Sequence, residues 1–95
     1  MTKINFAIIG CGRIAQRHAE HICNLGNLVA VCDIIPEKAL VLATKYSVNY
    51  YTNIDDLLAT ETLVDVVVIC TPNGLHATHA IKALQSHFHV LVEKP

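Results

Sequence analysis

With 95 residues, the chain suffices for one small domain, which buries roughly 60–65% of the surface that its unfolded form exposes. It is 53% hydrophobic and only 16% charged, against about 25% charged in ordinary soluble domains, so part of its surface is expected to face a neighbour. A net charge of −1 and a pI of about 6.6 exclude the electrostatic footprint that would attract nucleic acid or an anionic membrane, and leave small or locally bound partners.

In chain order, apolar runs and helical patterns alternate with little between them. Residues 4–9 read as a strand, too short and too soon broken by Gly10, Gly12 and Arg13 to be a signal peptide. Residues 13–25 read as a helix with Ile14, Ala15, His18, Ala19 and Ile22 on one face and Gly26 as its stop. A second strand over 28–33 precedes a helix over 36–45, which Pro36 opens as a favoured first-turn residue and Glu37 supports against the dipole. Strand 48–51, helix 54–60 with Asn53 as N-cap, strand 65–70, helix 75–86 and strand 88–92 complete the pattern. The second, fourth and fifth strands are nearly continuous apolar runs, as where both faces of a parallel sheet are covered.

No repeat, low-complexity tract or run of about 18 apolar residues occurs. Five strands separated by four helices imply right-handed crossovers and a doubly wound α/β fold with a parallel sheet. Because the ligand signals follow strands one, two and four, the expected order is 3-2-1-4-5, the Rossmann arrangement, with a crevice at the carboxyl ends where strands one and four diverge.

Cys11, Cys23, Cys32 and Cys70 show no C-x-x-C spacing, and two of them fall in predicted strands. They read as reduced thiols of a cytoplasmic protein, each a small buried hydrophobe. His18 with His21, and His76 with His79, form two H-x-x-H pairs. A zinc site needs three or four ligands and supporting carboxylates, so these read as helix-surface or packing histidines and no metal site is assigned.

Gly10-Cys11-Gly12-Arg13-Ile14-Ala15 is a G-x-G-x-x-A pattern between a strand and a helix. Gly10 permits a tight turn, Gly12 lets the backbone approach a pyrophosphate, and Ala15 lets helix pack on strand. Free N–H groups at the helix start, those of Arg13 and Ile14 among them, then face phosphates, and the Arg13 side chain is placed to reach the same group. Asp33 ends the second strand 23 positions beyond Gly10, near the spacing of about 20 at which an acid accepts hydrogen bonds from the ribose hydroxyls. Residues 34–36 contain no arginine or lysine to receive a 2′-phosphate, and the aspartate would repel one. NAD is therefore favoured over NADP.

"GCGRIAQRH", "VCD", "VVVICTPNGLHATHAIKAL" and "FHVLVEKP", in that order, resemble the N-terminal domain of the glucose-fructose oxidoreductase/inositol dehydrogenase family, also called Gfo/Idh/MocA. The resemblance covers the whole chain and implies a nicotinamide-dependent oxidoreductase acting on a hydroxyl of a sugar, cyclitol or sugar derivative. It implies that Thr71, Pro72, Asn73 and His76 border the ribose and nicotinamide side of the cofactor. It also implies that Lys94, within Glu93-Lys94-Pro95, is the catalytic residue, orienting the reacting hydroxyl and assisting proton movement while Glu93 helps fix the site. A lysine beside cationic NAD⁺ has reason to show a lowered pKa.

Residues 1–95 would then be part of a dinucleotide-binding domain, cut before its end and without the family's C-terminal α/β substrate domain. Such a piece is expected not to turn over a sugar-like substrate by itself, and the full-length protein is expected to be a homo-oligomer. Two other readings compete: a non-catalytic dinucleotide-binding sensor or regulatory module, and an S-adenosylmethionine enzyme of similar topology. The latter has no pyrophosphate for the glycine turn and leaves Glu93-Lys94-Pro95 unexplained.

Overall fold

A computed structural model describes residues 4–71, 73–86 and 88–92, without the side chains of 73–77. Strands β1 (Asn5–Ile9), β2 (Asn27–Cys32), β3 (Asn49–Tyr51), β4 (Val66–Ile69) and β5 (His89–Val92) alternate with helices α1 (Arg13–Leu25), α2 (Pro36–Tyr46), α3 (Ile54–Thr60) and α4 (Asn73–Gln85). All strand pairs are parallel, in the order β3-β2-β1-β4-β5. The expected doubly wound topology is what forms.

The side-chain alternation of the strands divides the core in two. On one face Ala7, Ile9, Ala30, Cys32, Val67 and Ile69 meet Ile54, Leu57 and Leu58 of α3 and Ala83 of α4. On the other, Ile8, Leu28, Val31 and Val68 meet Ala15, Ala19 and Ile22 of α1 and Ala39, Leu42 and Ala43 of α2. Small alanines on both inner helices let their axes approach the sheet. The β1–β2 register shifts after Phe6, which pairs with Leu28 while Ala7 pairs with Ala30, so β2 carries one extra residue there, a bulge.

Several expectations change in detail. Ile14 leaves the core face of α1 and stands 40% exposed. Among the described residues, strand β5 is not covered on both faces: it is a sheet edge, with Leu91 51% and Val92 41% exposed. Gly26 does stop α1, its N–H donating to the Ile22 carbonyl, but in an extended conformation. A glycine is needed there for closeness, because a Cβ would run into the Ile4 carbonyl oxygen, which already accepts from Asn27 N–H at 2.9 Å. Helix α2 runs one residue further than expected and ends on Ser47, in the left-handed region at φ 56°, a position that glycine-centred reading passes over. Helix α4 begins at Asn73, two residues earlier than expected. Cys23 is exposed, whereas Cys11 and Cys32 are buried and Cys70 is half-buried; none of the four is in a disulfide.

Among the described residues, no helix is long and apolar enough to cross a membrane, and no three or more His, Cys, Asp and Glu side chains are grouped to hold a metal ion.

Candidate functional site

Parallel strands deliver all their carboxyl ends to one rim of the sheet, and the loops that leave β1, β2, β3 and β4 surround a cleft of about 640 Å³ there. That volume lies within the range of about 300–1,000 Å³ usual for small-molecule sites. Gly10, Gly12, Arg13, Ile14, Asp33 and Thr71 all line it. The structure thus brings together six of the expected site residues, drawn from three separate loops.

Gly10 adopts φ +93°, left-handed backbone that glycine favours, and a Cβ there would meet Cys70 C and Thr71 N at 2.8 Å and Thr71 Cγ2 at 2.9 Å. Its N–H donates to the Cys32 carbonyl at 2.7 Å, and Cys70 N–H donates to Ile9 O at 2.7 Å. The turn is thereby clamped between the ends of β2 and β4. Gly12 has φ −81°, and a Cβ added to it would meet nothing within 4 Å. The space beside it belongs to the cleft.

Gly12 caps α1 without any side-chain hydrogen bond, and the first turn of α1 holds no acid. By contrast, α2 carries Glu37 in its first turn, and α3 has Asn53 accepting from Asp55 N–H, with Asp55 and Asp56 following. The partial positive end of α1 is left for something in the cleft, and an anionic group is what such an end stabilises.

Asp33 stands just beyond β2. Its Oδ2 accepts from Cys11 N–H and its Oδ1 from Ile35 N–H, both at 2.8 Å, so one carboxylate fixes both the glycine turn and the start of the loop into α2. Each oxygen retains acceptor capacity for a ligand hydroxyl. The Cys11 thiol donates to the Cys32 carbonyl at 3.3 Å. Burial, reinforced by the Asp33 charge, pushes Cys11 up to about 12 and Cys32 up to about 11. Both thiols are therefore neutral, inert wall atoms at physiological pH.

Pro72, Glu93 and Lys94 lie outside the described residues. Asn73 and His76 fall in α4, but their side chains also lie outside what is described. Several lining residues were not anticipated: Lys38, Thr52, Asn53, Asp55, His79 and Lys82. Lys38 is the most consequential. Residues 34–36 lack a cation, yet α2 starts at Pro36 and its first turn brings Lys38 to the cleft that Asp33 lines. His79 and Lys82 follow α4 at i,i+3 spacing, so helical periodicity joins them on one face. Lys82 Nζ lies 3.2 Å from Asp55 Oδ2, an exposed pair bridging α4 and α3, while Thr71 Oγ1 lies 3.1 Å from His79 Nδ1.

Residues 4–95 match the model of the family described as "Oxidoreductase family, NAD-binding Rossmann fold", GFO_IDH_MocA. The chain belongs to this family. It is 37% identical over 97 residues to D-glucoside 3-dehydrogenase of Escherichia coli (99% of this chain, 28% of that protein). To glucose-6-phosphate 3-dehydrogenase of Bacillus subtilis it is 39% identical over 98 residues (100% of this chain, 26% of that protein). The crystal structure of the WlbA dehydrogenase from Bordetella pertussis in complex with NADH and UDP-GlcNAcA superposes with a TM-score of 0.91 at 35% identity, covering 98% of this chain and 29% of that one. The chain thus spans roughly a quarter to a third of the length of these relatives.

Proposed function

We propose that the chain is the dinucleotide-binding part of an NAD-dependent dehydrogenase acting on a hydroxyl of a sugar, cyclitol or sugar derivative. The observation that carries the cofactor half of this reading is Gly12, whose missing Cβ opens onto the cleft at the start of α1, where the first turn holds no acid. A pyrophosphate fits there: the backbone can approach it, the helix start supplies N–H donors, and Arg13 stands at the rim as an exposed cation. Asp33 supplies acceptors for the adenine-ribose hydroxyls while its charge disfavours a 2′-phosphate. Ile9, Ile14 and Ile35 give the cleft apolar wall, suited to cover a flat ring.

When bound, a nicotinamide cofactor supplies the hydride acceptor for alcohol oxidation. The chain's own residues bind and orient it through the glycine turn and Asp33. The substrate half rests on the family and on what relatives are named for, among them the glucoside and glucose-6-phosphate 3-dehydrogenases and inositol 2-dehydrogenase of Salmonella typhimurium. In this reading Thr71, Pro72, Asn73 and His76 border the nicotinamide side. Lys94, in Glu93-Lys94-Pro95, orients the reacting hydroxyl and helps take its proton.

The test is a titration of the 95-residue chain with NADH and, separately, NADPH, followed by the fluorescence of the reduced nicotinamide, with circular dichroism to establish that the sample is folded. Saturable binding that prefers NADH is expected. A folded chain that binds neither cofactor overturns the reading, and equal affinities overturn the part assigned to Asp33.

A further inference from the structure

We infer that His79, on α4, is a positioning residue for the glycine turn, acting through Thr71. The inference rests on the proposed cofactor site for its functional consequence, but its structural half is independent of cofactor. The glycine turn is held on its β2 side by backbone and carboxylate bonds, Gly10 N–H to Cys32 O and Cys11 N–H to Asp33. On the β4 side the ladder ends with Cys70 N–H to Ile9 O. Beyond it the turn leans on Thr71, whose Cγ2 and backbone N sit 2.9 and 2.8 Å from where a Gly10 Cβ would be.

Thr71 can come this close because residue 10 carries no Cβ. A threonine carries a methyl and a hydroxyl on one carbon and is stiff about χ1, so the orientation that lays Cγ2 against Gly10 also fixes where Oγ1 points. It points to His79 Nδ1, at 3.1 Å, in a hydrogen bond whose direction follows the imidazole tautomer. Rotating Thr71 would break that bond and withdraw the Cγ2 methyl from the glycine turn. His79 therefore selects the Thr71 rotamer, and Thr71 sets the wall on which the Gly10–Gly12 backbone rests. Thr71 and His79 also line the cleft together, so the same bond shapes its β4 side.

The test compares the 95-residue chain with Thr71→Val, His79→Phe, their combination, and His79→Asn, whose amide can stand where Nδ1 stood. Two quantities are read: the amide resonances of Gly10 and Gly12 without cofactor, and NADH affinity. Thr71→Val and His79→Phe should each move both glycine amides and weaken NADH about fivefold, the range of one neutral hydrogen bond. The combination should cost less than the two single effects multiplied, because both remove the shared bond, and His79→Asn should stay close to the parent.

Unmoved glycine amides in a folded His79→Phe, or single effects that multiply in the combination, would overturn the inference. If His79→Phe does not fold, Thr71→Val against His79→Asn decides by the same two readouts. A parent chain that fails to bind NADH defeats the proposed function, while the amide comparison still decides the role of His79.

Discussion

Gly10 and Gly12 lie two residues apart in one turn and face opposite surroundings. Gly10 is enclosed by protein, with Cys70 and Thr71 backbone atoms 2.8 Å from its absent Cβ and with φ +93°; Gly12 is extended and opens onto space. The first glycine is required by the fold; in the proposed function the second serves a ligand. A single sequence motif thus joins two demands that mutation can separate.

The largest effect should follow Gly10→Ala. It forces a side chain into left-handed backbone and against main-chain atoms that cannot swing aside, so stability should fall by about 3 kcal/mol or more, read as a loss of melting temperature. Gly12→Ala should leave the melting temperature unchanged or slightly higher, since a compatible alanine stabilises by about 0.4–1 kcal/mol through the unfolded state. Its NADH affinity should drop about tenfold or more, because the new methyl occupies the pyrophosphate's approach. If the two variants prove equally destabilised, the division between fold glycine and ligand glycine is broken.

The wall around Gly10 offers a second way to sharpen the contrast. Cys11 and Cys32 are pushed from an ordinary 9.0 up to about 12 and about 11, by burial first and the Asp33 charge second. A raised acid pKa means that the folded state holds its protons longer than the unfolded one. The corresponding stability is fully present below about pH 9 and is lost as pH rises through 11 to 12. The melting temperature should therefore decline above pH 9, and less steeply in a Cys11→Ala/Cys32→Ala variant. At neutral pH iodoacetamide should modify exposed Cys23 and spare Cys11 and Cys32; rapid alkylation of either would mean that the turn opens in the folded state.

The strand order and the glycine turn were legible because they depend on local chemistry: apolar runs of strand length, a Pro36 start, and glycines where strand gives way to helix. Asp33 was legible through spacing alone, but its two backbone bonds were not, since they join loops brought together by the β1–β2 pairing. The exposure of β5 was misread because an apolar run looks the same at an edge as in the centre. Gly26 was correctly placed as a stop but for an incomplete reason, because the Ile4 carbonyl that excludes a Cβ is 22 residues away in sequence. His79 was visible as half of an H-x-x-H pair; its approach to Thr71 depends on how α4 lies along the rim, which no periodicity states.

Lys38 gives the smallest and most discriminating effect. It shares the cleft with Asp33, so the end proposed for adenosine carries two opposed charges: a carboxylate that repels a 2′-phosphate and an exposed ammonium that attracts one. Asp33 should dominate, because its oxygens are held by Cys11 and Ile35 N–H groups, whereas an exposed lysine is mobile and screened. Lys38→Ala should then weaken NADPH about threefold, within the range of an exposed ion pair, and leave NADH unchanged, widening the preference for NADH. Raising salt should shrink the difference between parent and variant. Equal loss for both cofactors would place Lys38 against a group they share, and the selectivity of the cleft would then rest on Asp33 alone.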